Sequence, residues 1–251
     1  MRRFFVSPDQ ISGNKVLITG SEVKHLSKVL RLREGEKVTV LDGLGNSYLV
    51  ELLTVNDQVV KAQIKEKLNL VSEAPVEVTL IQGILKGEKM DWVIQKATEL
   101  GVSRIIPLET ERTVVRLSGS KAEDRRKRWE KIAQEGVKQC GRALAPEVTS
   151  VRNWDEVLSQ LQEADLVLLP WEGETTQGLQ EVLQKSAQVK RISFFIGPEG
   201  GFSGQEAQKA REAGAIPVSL GPRILRAETA ALAVLSIILY QLGDLGSCGK
   251  P

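Results

Sequence analysis

The chain has few of the residues that form covalent cross-links or hold metal ions. Its 251 residues include two cysteines and one histidine. Cys140 and Cys248 are too few and too far apart to predict a disulfide framework, which fits a reducing cytoplasm. Because these cysteines and the histidine form no cluster with metal-ligand spacing, we expect no metal. The expected location is cytoplasmic.

The chain also lacks a long hydrophobic run. Its most apolar stretch, residues 230–242, is too short to span a bilayer, and Glu228 stands just before it. We interpret this stretch as a helix that is buried on most sides. The basic amino terminus has only Phe4-Phe5-Val6 as an apolar run, which is not typical of a signal peptide. We therefore expect no membrane partner.

Charge of neither sign is in large excess, since the formal net charge is +2. Residues 1–72 carry 11 Lys+Arg against 8 Asp+Glu, whereas the remaining 23 basic and 24 acidic residues nearly cancel. Residues 121–142 form a further basic segment. Local basic surfaces suit a polyanionic partner, but solvated helix faces give the same sequence pattern.

Length and composition favour two domains. Residues 67–75 are polar and end in a proline between two strand patterns, so we divide the chain into domains 1–72 and 73–251. The first domain is predicted to be β-rich. It has a strand at 37–41, a hairpin of 47–55 and 58–66, and a helix at about 21–30.

Strand and helix patterns alternate through the second domain. Predicted strands lie at 76–80, 104–108, 165–169, 191–196 and 217–220. Predicted helices lie at 88–100, with Gly101 as the C-cap, and at 121–139, 154–161, 203–213 and 227–242. This alternation predicts an α/β domain with a mostly parallel sheet and helices on both faces.

A glycine-rich loop joins one of these strands to the next helix, with the sequence Ile196-Gly197-Pro198-Glu199-Gly200-Gly201-Phe202-Ser203. Its glycines let the backbone come close to a ligand. Ser203 and Glu206 have the spacing of a capping box. The loop has neither the Gly-Lys-Ser/Thr ending of a P-loop nor the dinucleotide fingerprint. A ligand-binding turn and a plain strand-to-helix turn both fit this loop.

A second strand, Gly-Pro loop and apolar helix follow at residues 217–232. The pair of loops resembles the SPOUT class of RNA methyltransferases, and most closely the ribosomal RNA small subunit methyltransferase E family. The resemblance covers nearly the whole chain. It includes residues 1–5, 25–31, 86–101, 111–115 and 139–142.

The resemblance implies a SPOUT-type knotted α/β domain, with a deep trefoil knot, preceded by a small PUA-like β-barrel domain that holds RNA. It also implies an S-adenosyl-L-methionine-dependent enzyme that methylates N3 of a uridine in 16S rRNA, the family target being uridine 1498. The implied partners are the small ribosomal subunit and a second copy of the chain.

Three loops would hold the cofactor by this resemblance. They contain Leu169, Pro170 and Trp171, then Gly197, Pro198, Glu199, Gly200 and Gly201, and finally Leu220, Gly221, Ile224, Leu225, Arg226, Thr229 and Ala230. The side chains of Leu169, Ile224 and Leu225 would enclose the adenine. Ten residues are predicted to contact RNA: Arg2, Arg3, His25, Lys28, Arg31, Arg33, Lys89, Lys96, Arg112 and Arg142.

Methylation at N3 of uracil needs a base or a stabilised anion, because that proton is weakly acidic. Arg226 is the candidate for steadying negative charge on the uracil oxygens. Glu228 and Glu199 are the candidates for accepting the proton or orienting the base. A glutamate at a helix start is equally well explained by the helix dipole.

Three functions remain open at this point: a methyltransferase, a non-catalytic RNA-binding protein that keeps the fold, and an unrelated nucleotide-binding α/β enzyme. The third lacks any phosphate motif. The closing helix is apolar on more faces than one core can use, so we expect a homodimer that covers its outer face, and replacing Ile238 or Leu239 by Asp should give monomers or aggregates without methyl transfer.

Overall fold

A computed structural model describes residues 2–68 and 73–247. Cys248 and residues 69–72 of the predicted linker lie outside the described residues. The described chain divides into two compact units. One contains the residues up to Glu73 together with Val137–Ala145, and the other contains Ala74–Gly136 and the residues from Pro146 onward.

The first unit is built on a six-stranded mixed sheet of order β1-β4-β5-β6-β3-β2. Only β1 and β4 run parallel, and every other neighbouring pair is antiparallel. A short helix, α1 (Ser21–Lys24), continues into one π-helical turn, His25–Val29. The strands are β1 (Arg3–Phe5), β2 (Ile11–Ser12), β3 (Lys15–Ile18), β4 (Lys37–Leu41), β5 (Ser47–Val55) and β6 (Val60–Leu68). The predicted strand, hairpin and helix are confirmed, and β1, β2 and β3 are additions to them.

Val137–Ala145 joins the first unit through pairings that the predicted division did not include. Arg142 donates to Glu73 Oε2 at 2.6 Å through Nη2 and at 3.1 Å through Nε. Lys138 forms an ion pair with Glu22, and Leu144 forms an isolated β-bridge with Leu44. These residues are far apart in sequence, so patterns along the chain did not predict that they lie in one unit.

The second unit is built on a six-stranded sheet of order β12-β10-β11-β7-β8-β9. Every neighbouring pair of strands is parallel, so the predicted parallel α/β architecture is confirmed. The strands are β7 (Glu77–Gly83), β8 (Arg104–Leu108), β9 (Glu147–Val148), β10 (Leu166–Pro170), β11 (Arg191–Ile196) and β12 (Ile216–Val218). The helices are α2 (Lys89–Leu100), α3 (Gly119–Cys140), α4 (Trp154–Gln160), α5 (Leu179–Gln184), α6 (Gly204–Glu212) and α7 (Ala227–Leu242).

Two hydrophobic cores lie on opposite faces of this parallel sheet. Along β10, Leu166 and Leu168 belong to one core, whereas Val167 and Leu169 belong to the other. Successive side chains of a strand point to opposite faces, so both faces of the sheet are covered. Only the strand ends remain free to hold a ligand. Within the described residues, no helix is long and apolar enough to cross a membrane.

Helix α7 is buried more deeply on its inner side than the sequence indicated. Ile238 and Leu239 are fully buried in the core of their own unit. These two residues therefore do not lie on the outer face that a dimer would cover. The outward positions are Ile237 and Tyr240, which are 42% and 71% exposed.

Candidate active site at the carboxyl edge of the parallel sheet

The three predicted cofactor loops leave the sheet side by side. They follow β10, β11 and β12, and β10 lies between the other two strands in the sheet. Pro170 is in register with Val218, and Leu168 is in register with Phe194. Because the carboxyl ends of parallel strands meet at one edge, the sheet brings together loops that lie far apart in sequence.

The glycine-rich loop folds tightly against the end of β7. The Gly201 N–H donates to the Pro198 carbonyl at 2.9 Å, and Gly201 has a left-handed φ of 67°. A Cβ at Gly197 would lie 3.0 Å from the Gly201 backbone. A Cβ at Gly83, the last residue of β7, would lie 2.5 Å from Pro198 N. Glycine is needed at Gly83 and Gly197 because backbone segments approach each other there.

Residues that follow β8 brace this loop. Arg112 Nη1 donates to the Gly200 carbonyl at 2.8 Å. The Glu111 N–H donates to Glu206 Oε1 at 2.8 Å, while Glu206 Oε2 accepts from the Ser203 N–H at 2.8 Å in the predicted capping box. Arg112 was predicted to contact RNA, whereas here its Nη1 donates to the glycine-rich loop.

A lysine lies between the two candidate acids. Lys89 Nζ is 3.5 Å from Glu199 Oε1 and 3.6 Å from Glu228 Oε1. Glu199 Oε1 also accepts from the Lys86 N–H at 3.1 Å. Partial burial by itself raises the pKa of Glu199. The backbone N–H groups of Glu199 and Lys86, together with the Lys89 ammonium, outweigh burial and hold this pKa below its ordinary range.

Only one oxygen of the Glu228 carboxylate faces a partner among the described residues. It lies in the first turn of α7, and its side chain is 16% exposed. Its Oε1 faces Lys89, whereas Oε2 is buried with no hydrogen-bond partner in the described part of the chain. A buried carboxylate oxygen without a donor is costly, so this atom is suited to accept from a bound ligand.

The loop after β12 presents an apolar and a cationic side chain to solvent. Ile224 is 87% exposed, and Arg226 is exposed at the N-cap of α7. Leu225 is half-buried and packs against the core. Leu169, in contrast, is 0% exposed within the core. The expectation that the Leu169 side chain encloses adenine therefore fails, because that side chain fills the core instead.

The remaining predicted cofactor residues line the same edge. Trp171 is half-buried, and its N–H donates to the Val218 carbonyl at 3.2 Å. Leu220 is half-buried, and Gly221 is exposed with a left-handed φ of 99°. Thr229 is exposed, and Ala230 is buried on the first turns of α7.

Gln82 is a polar residue of this edge that the sequence reasoning missed. It is fully buried, and its Nε2 donates to the Gly83 carbonyl at 2.9 Å. Its Oε1 is buried without a partner among the described residues. The available signal was a glutamine that directly follows the apolar pair Leu80-Ile81 and directly precedes a glycine.

The predicted RNA-contacting residues of the first unit are mostly exposed. Arg2, His25, Arg31 and Arg33 are exposed, and Lys28 is exposed while pairing with Asp57 at 3.2 Å. Arg3 is half-buried, with its guanidinium close to Gly141.

Two further predicted RNA contacts have partners inside the chain. Arg142 is only 5% exposed and pairs with Glu73, so its placement does not support phosphate contact. Lys96 pairs with Glu99 on α2 at 2.8 Å and remains partly exposed.

No group of three or more His, Cys, Asp or Glu side chains in the described ranges could hold a metal ion.

Comparison with known families identifies the class of this fold. A family model described as "RNA methyltransferase domain" matches residues 72–239, and one described as "RNA methyltransferase PUA domain" matches residues 18–65. The chain thus has a PUA-like domain followed by a SPOUT-type knotted methyltransferase domain.

Individual relatives narrow the class to one family. The chain is 36% identical to ribosomal RNA small subunit methyltransferase E of Bacillus subtilis over 96% of this chain and 97% of the relative. It is similar to the crystal structure of the protein of that name from Neisseria gonorrhoeae bound to S-adenosyl methionine. That match has TM-score 0.88 and 34% identity, and it covers 97% of this chain and 99% of the other. A putative methyltransferase of Legionella pneumophila, in complex with the same cofactor, matches with TM-score 0.88 and 32% identity over 97% and 98% of the two chains. The chain belongs to the ribosomal RNA small subunit methyltransferase E family.

Proposed function

We propose that this protein is an S-adenosyl-L-methionine-dependent methyltransferase that methylates N3 of uridine 1498 in 16S rRNA. The observation that carries the proposal is the edge where the loops after β10, β11 and β12 meet. That edge combines close-packed glycine backbone, two buried acceptor oxygens that have no partner in the described ranges, and an exposed arginine. Family membership supports the reaction class.

The residues at this edge suit the proposed cofactor. Gly201 and Gly221 have open space where a Cβ would stand, so the backbone beside them is accessible to a ligand. The adenine edge and the ribose need directional hydrogen bonds more than charge, and loop backbone supplies these. Ile224 offers an apolar surface for the adenine. When bound, the cofactor supplies a methyl group on a cationic sulfonium.

The protein's own groups have two tasks in the transfer. They must remove or share the N3 proton, and they must hold the resulting uracil anion in line with the methyl group. Glu228 Oε2 is the proposed acceptor, because it is buried and has no hydrogen-bond donor among the described residues. Arg226, exposed at the start of α7, would stabilise negative charge on the uracil oxygens.

RNA would be held partly by the first unit. Its exposed cations Arg2, Arg31 and Arg33 are suited to phosphate contacts that fix position without reading sequence. The proposed partner is the small ribosomal subunit, which places the protein in the cytoplasm.

We also propose a homodimer that covers the outer side of α7. Ile237 and Tyr240 lie one turn apart on that side and are exposed. A twofold contact would bury them against the same helix of a second copy. Light scattering at micromolar concentration should give a dimer for the wild type and monomers for Ile237→Asp. A monomeric wild type would contradict the proposal.

Two measurements test the main proposal. Calorimetric titration should show binding of S-adenosyl-L-methionine, and mass mapping of rRNA from cells without this protein should show loss of one methyl group at uridine 1498. Restoring the gene should restore the methyl group, whereas Arg226→Ala should not. RNA binding without cofactor binding would instead support the non-catalytic alternative.

A further inference from the structure

Lys89 stands out because its position does not match a simple RNA contact. Its side chain is 40% exposed, yet its ammonium lies near carboxylates from two different segments. Glu199 belongs to the glycine-rich loop after β11, and Glu228 belongs to the first turn of α7. The proposed cofactor loops that contain them are otherwise separate in sequence.

We propose that Lys89 is a positioning residue, which ties the glycine-rich loop to the start of α7 and holds Glu228 for the transfer step. This inference rests on the proposed function. Lys89 opens α2, whose inner face is fixed in the core by Met90 and Val93. The lysine is therefore anchored on a rigid element, while both of its partners lie at loop or helix ends.

The arrangement of the Glu228 oxygens supports this role. Oε1 faces the ammonium at 3.6 Å, and Oε2 is buried without a partner in the part of the chain that the structure describes. A carboxylate that is held at one oxygen loses freedom to rotate, so the other oxygen keeps one direction for an incoming donor. Lys89 touches neither RNA nor cofactor in this scheme, and it acts through Glu228 and Glu199.

A second argument comes from charge. Two carboxylates near one another repel if nothing neutralises them, and Lys89 is the cation that faces both. Without it, the glycine-rich loop and the first turn of α7 should separate. Glu199 would keep its hydrogen bond from the Lys86 N–H, so the loop should loosen rather than unfold.

The test compares Lys89→Met with Lys89→Arg and with the control Lys65→Met. Lys65 lies on β6 in the first unit, pairs with Glu51 at 3.1 Å, and has nearly the same exposure, 39%. In the ligand-free protein, we expect amide hydrogen exchange in residues 197–203 and 227–231 to be about threefold to fivefold faster in Lys89→Met. Lys89→Arg should restore the wild-type rate, and Lys65→Met should not change it.

Kinetics supply the second readout. In Lys89→Met, kcat should fall roughly tenfold or more while the KM for RNA and the salt dependence of RNA binding stay at wild-type values. Combining Lys89→Met with Glu228→Gln should lower kcat no further than Glu228→Gln alone, because both changes remove the same function.

Other results would overturn the inference. If Lys89→Met reduces the slope of the salt dependence by about one with kcat unchanged, Lys89 contacts phosphate. Unchanged exchange and unchanged kcat would make it an ordinary surface ion pair. Should the wild type transfer no methyl group, the proposed function fails, and the exchange measurement still decides whether Lys89 ties the two segments together.

Discussion

The two sheets of this protein differ in what their faces can do. In the first unit, β3 alternates between exposed and buried residues and β5 and β6 keep exposed positions, although β4 is buried from Val38 to Leu41. In the second unit, β8 and β10 are almost continuously buried, because separate cores cover both faces. A mostly antiparallel sheet with exposed positions along its strands can offer them to a large partner, whereas a parallel sheet covered on both faces can use only its strand ends. Under the proposed function, exposed side chains of the first unit contact RNA, and the edge of the parallel sheet carries out methyl transfer.

The largest effect is expected from a charged side chain in the core of the second unit, where both faces of the sheet are covered. Ile238→Asp places a carboxylate at a fully buried position of α7, and we expect a loss of about 4 kcal/mol or more, with little folded protein recovered. Ile237→Asp, one residue away and 42% exposed, is the matched control and should fold. Thermal unfolding followed by circular dichroism measures both. Equal stability of the two variants would mean that the core does not depend on α7 as described.

The second-largest effect is expected at the carboxyl edge of the parallel sheet. Gly83→Ala introduces a Cβ 2.5 Å from Pro198 N, so the glycine-rich loop must move. We expect the methyl-transfer rate to fall on the order of a hundredfold, since small misplacements of reacting groups are costly. In Gly204→Ala the new Cβ meets nothing within 4 Å, and single-turnover rates should stay at the wild-type value. Unimpaired transfer by Gly83→Ala would remove the β7–loop contact from the site.

The proposed RNA contacts of the first unit can be tested through salt dependence. Replacing Arg2, Arg31 and Arg33 by alanine removes three exposed cations. RNA affinity at moderate salt should fall about tenfold, and the slope of log K against log salt should become shallower by about two. The control Arg191→Ala changes an exposed arginine at the amino end of β11, and its slope should match the wild type. A wild-type slope in the triple variant would show that these arginines do not meet phosphate.

The smallest expected effect concerns the other end of the parallel sheet. Backbone N–H groups of Lys190 and Arg191, followed by the Arg191 side chain, hold the pKa of Asp165 below its ordinary range. A lowered folded-state pKa stabilises the protein above about pH 4 and ceases to do so as the pH falls through that pKa. Asp165→Asn should therefore lower the melting temperature by a few degrees at neutral pH, and the difference should shrink in acid. A difference that is constant with pH would contradict this assignment.

Most of the local structure could be predicted because it depends on residues close together in sequence. The capping box of Ser203 and Glu206 and the left-handed C-cap at Gly101 both follow from neighbours within one helical turn. The alternation of strand and helix patterns predicted the parallel sheet for the same reason. The resemblance to SPOUT methyltransferases then supplied the order of the loops and the residues of the candidate site.

What the sequence by itself determined is therefore the set of elements, the glycine-rich loop and, through the resemblance, the family. Only the tertiary structure placed Arg142 in a buried pair with Glu73, filled the core with Leu169, and brought Lys89 between Glu199 and Glu228. It alone revealed Gln82 beneath the loop. The physical reason is that such pairings depend on which strands lie side by side. Strand order is decided by the packing of the whole sheet, which no local periodicity encodes.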